Sequence, residues 1–120
     1  MSTTVALIDD DASMLTGLQR LLQACGYLTR TFESAEQFLD VGCDEAACLI
    51  VDINLGGMSG IELQRQLVAA GSSLPIIFIS GADDRMTKAA ALDTGCVAFF
   101  QKPVAGQLLV GAIRKAEGLA

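Results

Sequence analysis

The sequence predicts a doubly wound α/β domain, in which a five-stranded parallel sheet carries helices on both faces. Five strand-length apolar runs alternate with five helical patterns along 120 residues, and strict alternation implies parallel strands joined by crossover helices. Four of the five runs are continuously apolar, as strands covered on both faces must be. A composition of 52% hydrophobic and 18% charged residues suits a folded globular chain.

The first run, "VALI" (5–8), passes straight into Asp9, Asp10 and Asp11. A helix follows, with Met14, Leu15, Leu18, Leu21, Leu22 and Cys25 in one apolar stripe and Gly26 as its stop. The second run, "YLTRTF" (27–32), alternates, with Leu28, Arg30 and Phe32 on one side, which suits an edge strand. Ser34 opens the next helix with Gln37 three residues on, a capping-box spacing that recurs at Ser59 and Glu62. Between them lies the third run, "CLIV" (48–51), which ends at Asp52. The helix after Ser59 closes at Gly71. "PIIFIS" (75–80) starts at a proline, where a missing N–H costs little. The fourth helix closes at Gly95 ahead of "VAFF" (97–100), and the fifth places Ala105, Leu108, Leu109, Ala112, Ile113 and Ala116 on one face. With the second strand at an edge, the expected strand order is 2-1-3-4-5, the flavodoxin-like (βα)5 arrangement. No linker or repeat interrupts it, so residues 1–120 are expected to form one domain.

Charge and residue inventory narrow the function. A net charge of −6 and a pI of 4.3 argue against nucleic-acid or anionic-membrane binding by this chain alone. No run approaches the ~20 apolar residues of a membrane helix, and no signal peptide precedes "MSTTVALI", so a cytoplasmic location is expected. Cys25, Cys43, Cys48 and Cys96 form no C-x-x-C pair and read as small core residues, with Cys43 and Cys48 near enough in sequence to oxidise outside a reducing cytosol. The absence of histidine removes Ser-His-Asp and Cys-His catalysis.

In an open parallel sheet, sites form beyond the carboxyl ends of the strands. There the first strand delivers Asp9 to Asp11, the third Asp52, the fourth Ser80 and the fifth Lys102. Two carboxylates ~4 Å apart repel by about 4 kcal/mol at an effective dielectric near 20. One acid suffices to cap the following helix, and Asp11 suits that role; Asp9 and Asp10 are then left for a cation. Clustered carboxylates are hard oxygen ligands of the kind Mg²⁺ prefers, and Mg²⁺ often bridges to phosphoryl groups. Asp52 is a candidate carboxylate nucleophile, with Mg²⁺, Lys102 and the Ser80 hydroxyl available to neutralise phosphoryl oxygens.

These residues, in this order, resemble the receiver domain of two-component response regulators over essentially the whole chain. The resemblance rests on the acidic pair after the first strand, Asp52 after the third, "DINL…MSGIE", Ser80 after the fourth and Lys102-Pro103 after the fifth. It implies that Asp52 takes a phosphoryl group from a partner histidine kinase. It also implies that Asp9, Asp10, Asp52 and the main-chain carbonyl of Asn54 hold Mg²⁺, that Lys102 pairs with the phosphoryl group, and that Lys102-Pro103 is a cis peptide. Ser80 and Phe99 match the family's switch pair, and the fourth and fifth helices with the fifth strand would report the switch to an output domain, an effector or a second copy. "ESAEQFL" is further similar to receivers that carry a LuxR-type helix-turn-helix output domain.

The chain departs from that pattern in three places. Gly56 stands where the family usually has proline, and Gly57 follows it, which loosens the loop beside the acceptor. Val104 follows Lys-Pro where a larger apolar residue is common. Ala82 offers no side chain to position an attacking water. Other classes fit less well. A haloacid-dehalogenase-like phosphatase would need an acid where Asn54 stands, so no turnover enzyme is expected. A flavodoxin-like electron carrier would not carry three aspartates in its phosphate loop. The remaining alternative is a degenerate receiver that only binds partners.

Overall fold

Every residue of the first strand is buried, because its alternate side chains enter two separate cores. Val5 and Leu7 point into one, Ala6 and Ile8 into the other, which is why the run reads as continuously apolar. The computed structural model describes residues 2–81 and 85–118. Within them the elements follow as β1 (Thr4–Ile8), α1 (Ala12–Ala24), β2 (Leu28–Phe32), α2 (Ala35–Val41) and β3 (Ala46–Asp52). Then come α3 (Gly60–Ala69), β4 (Ile76–Ser80), α4 (Arg85–Asp93), β5 (Ala98–Gln101) and α5 (Gly106–Ala116). All strands are parallel, in the order β2-β1-β3-β4-β5. The predicted doubly wound sheet is thereby established.

Each helix buries an apolar face. Leu15, Leu18 and Leu22 of α1 and Leu109, Ala112 and Ile113 of α5 fill one core with Cys48, Ile50, Ile77 and Ile79. Phe38 of α2, Leu63 of α3 and Ala91 of α4 fill the other with Leu49, Val51, Ile76 and Phe78. Caps form as read. Asp11 accepts from the N–H groups of Ser13 and Met14, Ser34 from Gln37, and Ser59 from Glu62. Gln37 completes its box one residue further out than expected, accepting from Glu33 N–H at 2.7 Å. Gly26, Gly71 and Gly95 close α1, α3 and α4 at φ of 91°, 84° and 80°, a region that costs a residue with a Cβ.

Four expectations need correction. β5 is only half-buried, as the outer strand on the side opposite β2, so Phe99 and Phe100 pack against the two cores from their rims. Two residues of the α5 stripe face water: Leu108 is 60% exposed, because it sits on the flank of the face made by Leu109, Ala112 and Ile113, and Ala105 is the exposed N-cap that precedes the helix. Cys25 is exposed at the end of α1. Cys43 and Cys48 lie in different cores with the sheet between them, so nearness in sequence does not bring them together, and all four cysteines are free.

Two glycines give a test of this packing. A Cβ on Gly60 would stand 2.8 Å from the Asp52 carbonyl oxygen, whereas one on Gly17, exposed in α1, would meet nothing within 4 Å. Gly60→Ala is expected to lower stability by about 1–3 kcal/mol. Gly17→Ala is expected to raise it by about 0.5–1 kcal/mol. Urea unfolding of the two variants reads both signs.

Candidate functional site

β1 and β3 are neighbours, and the chain leaves β1 toward β2 on one side and β3 toward β4 on the other. Their carboxyl ends therefore open onto the point where the strand order switches direction. Asp9 follows β1 directly, its N–H bonded to the Phe32 carbonyl at 3.2 Å, and Asp52 is the last residue of β3. Both are buried, at 1% and 5% exposure, while Asp10 faces solvent. One carboxylate oxygen from each of the three lies within 4.8 Å of the others.

Lys102 arrives from just beyond β5. Its N–H donates to the Ser80 carbonyl at 2.8 Å, which holds the lysine backbone against the end of β4. The side chain then crosses over β4 and places Nζ 2.8 Å from Asp52 Oδ2 and 3.1 Å from Asp9 Oδ2. The other oxygens are held locally: Asp52 Oδ1 accepts from Asn54 N–H at 3.0 Å, and Asp9 Oδ1 from Asp11 N–H at 2.9 Å. Ser80, fully buried, accepts from the Asn54 side-chain amide at 3.2 Å. The Lys102-Pro103 peptide is cis.

Electrostatics follow from this packing. Burial, the largest influence, pushes the Asp9 carboxyl above its ordinary value of 3.8, against the hydrogen bonds from Asp11 and Lys102 that lower it. Burial would lower the Lys102 ammonium, but its bonds to Asp52 and Asp9 outweigh that and hold it above 10.5. Three carboxylates face one ammonium, so the group is two negative charges in excess. The donors are all oxygen, with no histidine or cysteine among the clustered residues, and that set fits a hard divalent cation such as Mg²⁺.

The structure thus brings together Asp9, Asp10, Asp52, Asn54, Ser80 and Lys102, as the strand ends anticipated. Phe99 stands apart: it pairs in register with Phe78, two residues before the Gln101 that faces Ser80. Asp11 serves as the α1 cap, while Ala82, Asp83 and Asp84 lie outside the described residues. The bond from the Asn54 side chain to Ser80 was not foreseen, since the sequence marked that side chain only as an amide where a phosphatase needs an acid. Glu36 was also missed. Its carboxylate reaches from α2 to accept from Met58 N–H at 3.1 Å, and only the glycine beside Met58 hinted at room for it.

Comparison with known proteins places these features in context. A family model described as the response regulator receiver domain matches residues 5–114. Response regulator protein TmoT of Ectopseudomonas mendocina is 40% identical over 119 residues, covering 98% of this chain and 54% of its own length. The solved structure of response regulator StyR is 40% identical with a TM-score of 0.87, covering 99% of this chain and 61% of that one. The crystal structure of FixJ-N is 29% identical with a TM-score of 0.90, covering 100% and 97%. The chain spans about half the length of the curated relatives it matches. Among the described residues no helix is long and apolar enough to cross a membrane.

The raised Asp9 carboxyl carries a stability consequence. A carboxyl whose folded pKa exceeds its unfolded value destabilises the fold in its ionised form, at pH above the folded pKa; the cost vanishes as pH falls below 3.8. Asp9→Asn is therefore expected to raise the thermal midpoint at neutral pH in chelator, with the gap closing toward acid. A melt series across pH checks it, and a lowered midpoint would mean that the Lys102 pairing outweighs burial.

Proposed function

The chain belongs to the response regulator receiver domain family, and from that premise we propose that Asp52 accepts a phosphoryl group from a partner histidine kinase. One observation carries the proposal. Asp52 is a buried carboxylate with one oxygen on Lys102 and the other on Asn54 N–H, so it is oriented and paired with an ammonium before any donor arrives. An Asp52 oxygen attacks phosphorus, the bond from phosphorus to the donor's ring nitrogen breaks, and that nitrogen leaves with the electron pair. The product is an acyl phosphate on Asp52.

Asp9, Asp10, Asp52 and the Asn54 carbonyl would hold Mg²⁺, which when bound supplies positive charge against the phosphoryl oxygens. Lys102, already within 2.8 Å of Asp52, takes a second oxygen, and the Ser80 hydroxyl is the donor on the β4 side. Phosphorylation adds about −1.5 to −2 charge at neutral pH. Drawing Ser80 toward that charge vacates space beside β5, and Phe99, half-buried at the rim of its core, is the side chain able to fill it. The α4–β5–α5 surface then reports the change to an output domain, an effector or a second copy. This reading takes residues 1–120 as one cytoplasmic receiver domain that turns over no external substrate, because an amide, Asn54, stands two residues beyond the acceptor.

Two experiments check this reading. After incubation with acetyl phosphate and Mg²⁺, intact mass is expected to rise by one phosphoryl group in the native chain and stay unchanged in Asp52→Asn. Labelling that persists in the variant moves the acceptor elsewhere, and no labelling of either supports a binding module instead. Mg²⁺ is also expected to raise the thermal midpoint, by about 2.7 kcal/mol of stabilisation at a hundred times its dissociation constant. A melt indifferent to millimolar Mg²⁺ counts against the cation site.

A further inference from the structure

The loop between β3 and α3 carries Asn54, and it contains two adjacent glycines, Gly56 and Gly57, the most permissive backbone available. Its base is fastened. Asn54 N–H bonds to Asp52 Oδ1 at 3.0 Å, and Gly60 N–H to the Ile53 carbonyl at 3.1 Å. Its outer turn has one hydrogen-bonded tie to another element among the described residues, from Met58 N–H to Glu36 Oε2 at 3.1 Å.

Glu36 is well placed to act as an anchor. Ser34 caps α2, Gln37 bonds back to Glu33, and Phe38 is buried edge-on against Phe32 with ring centroids 5.1 Å apart. The first turn of α2 is thus tied on both sides of Glu36. Gly57 leaves room for the contact as it stands, because a Cβ there would overlap the Glu36 carboxylate. The same glycine that loosens the loop opens the path for the residue that restrains it.

We propose that Glu36 is a positioning residue for the acceptor site: by holding Met58 N–H it restrains the outer turn, residues 55–58, and so supports the bonds from Asn54 to Asp52 and Ser80 that hold the Asn54 carbonyl for the cation. The carboxyl of Glu36 lies below its usual range, chiefly because of the Met58 N–H, as expected for a carboxylate that accepts a backbone hydrogen bond. The inference rests on the phosphoacceptor reading, and it goes beyond that reading by assigning cation affinity to a side chain on a different helix.

The test compares Glu36→Ala with Glu36→Gln, whose amide oxygen still accepts from Met58. Mg²⁺ affinity is followed by amide NMR titration, and acetyl phosphate labelling by intact mass at sub-saturating Mg²⁺. Glu36→Ala is expected to weaken Mg²⁺ binding by about 10-fold and slow labelling in proportion, while Glu36→Gln stays within about twofold of the native chain. Native-like Mg²⁺ affinity in Glu36→Ala overturns the proposal. So does an equal loss in Glu36→Gln, which would assign the effect to charge alone. Weakened Mg²⁺ binding in Glu36→Ala, in a native chain that takes no label, would leave the positioning role standing and remove the phosphoacceptor reading.

Discussion

The site depends on one charge-balance problem, two buried carboxylates at the ends of adjacent strands. A carboxylate out of water is expensive unless it is paired and hydrogen-bonded. Asp9 and Asp52 are almost fully buried and share a single ammonium, Lys102, which bridges them at 3.1 and 2.8 Å. Each spare oxygen is met by a main-chain N–H from the same loop, Asp11 for one and Asn54 for the other. Nothing in that arrangement neutralises Asp10, so the group keeps an excess of negative charge that a divalent cation would relieve.

Solving that problem constrains the fold as a whole. The ammonium comes from just beyond β5, two strands from β1's neighbour β3, and β4, which lies between them, holds the lysine backbone through the Ser80 carbonyl. The register that sets Ser80 opposite Gln101 thereby also sets how far Lys102 reaches. Gly60 belongs to the same constraint, since α3 starts against the Asp52 carbonyl at a distance that no Cβ allows. Core and site are thus not independent. The strands that carry Leu49, Val51, Ile77 and Ile79 into the two cores are those whose ends present the acid and the hydroxyl.

The loops behave differently from the strands. Strand ends deliver Asp9, Asp52 and Ser80 with little freedom, because the ladder fixes each backbone position. Asn54 sits in a loop with two glycines; its main-chain N–H is held locally by Asp52, while its side chain and Met58 N–H are held by contacts that local pattern does not announce. The Asn54 amide on Ser80 and the Glu36 carboxylate on Met58 N–H both join segments more than 20 residues apart in sequence.

Local pattern was enough for the strand and helix assignments, the Asp11, Ser34 and Ser59 caps, the closing glycines and the strand order, because each depends on neighbours within a turn or on two-faced burial along a run. It also marked the acids, the serine and the lysine, since parallel topology sends every strand end to one edge. It misjudged Cys25, Leu108 and β5, where burial depends on how far a helix end or an outer strand extends past its neighbours. It was silent on the Glu36 contact, on the Asn54–Ser80 hydrogen bond and on which carboxylate oxygen meets Lys102. Those were decided only in three dimensions, because a hydrogen bond between distant segments depends on ångström-scale placement that residue spacing does not encode.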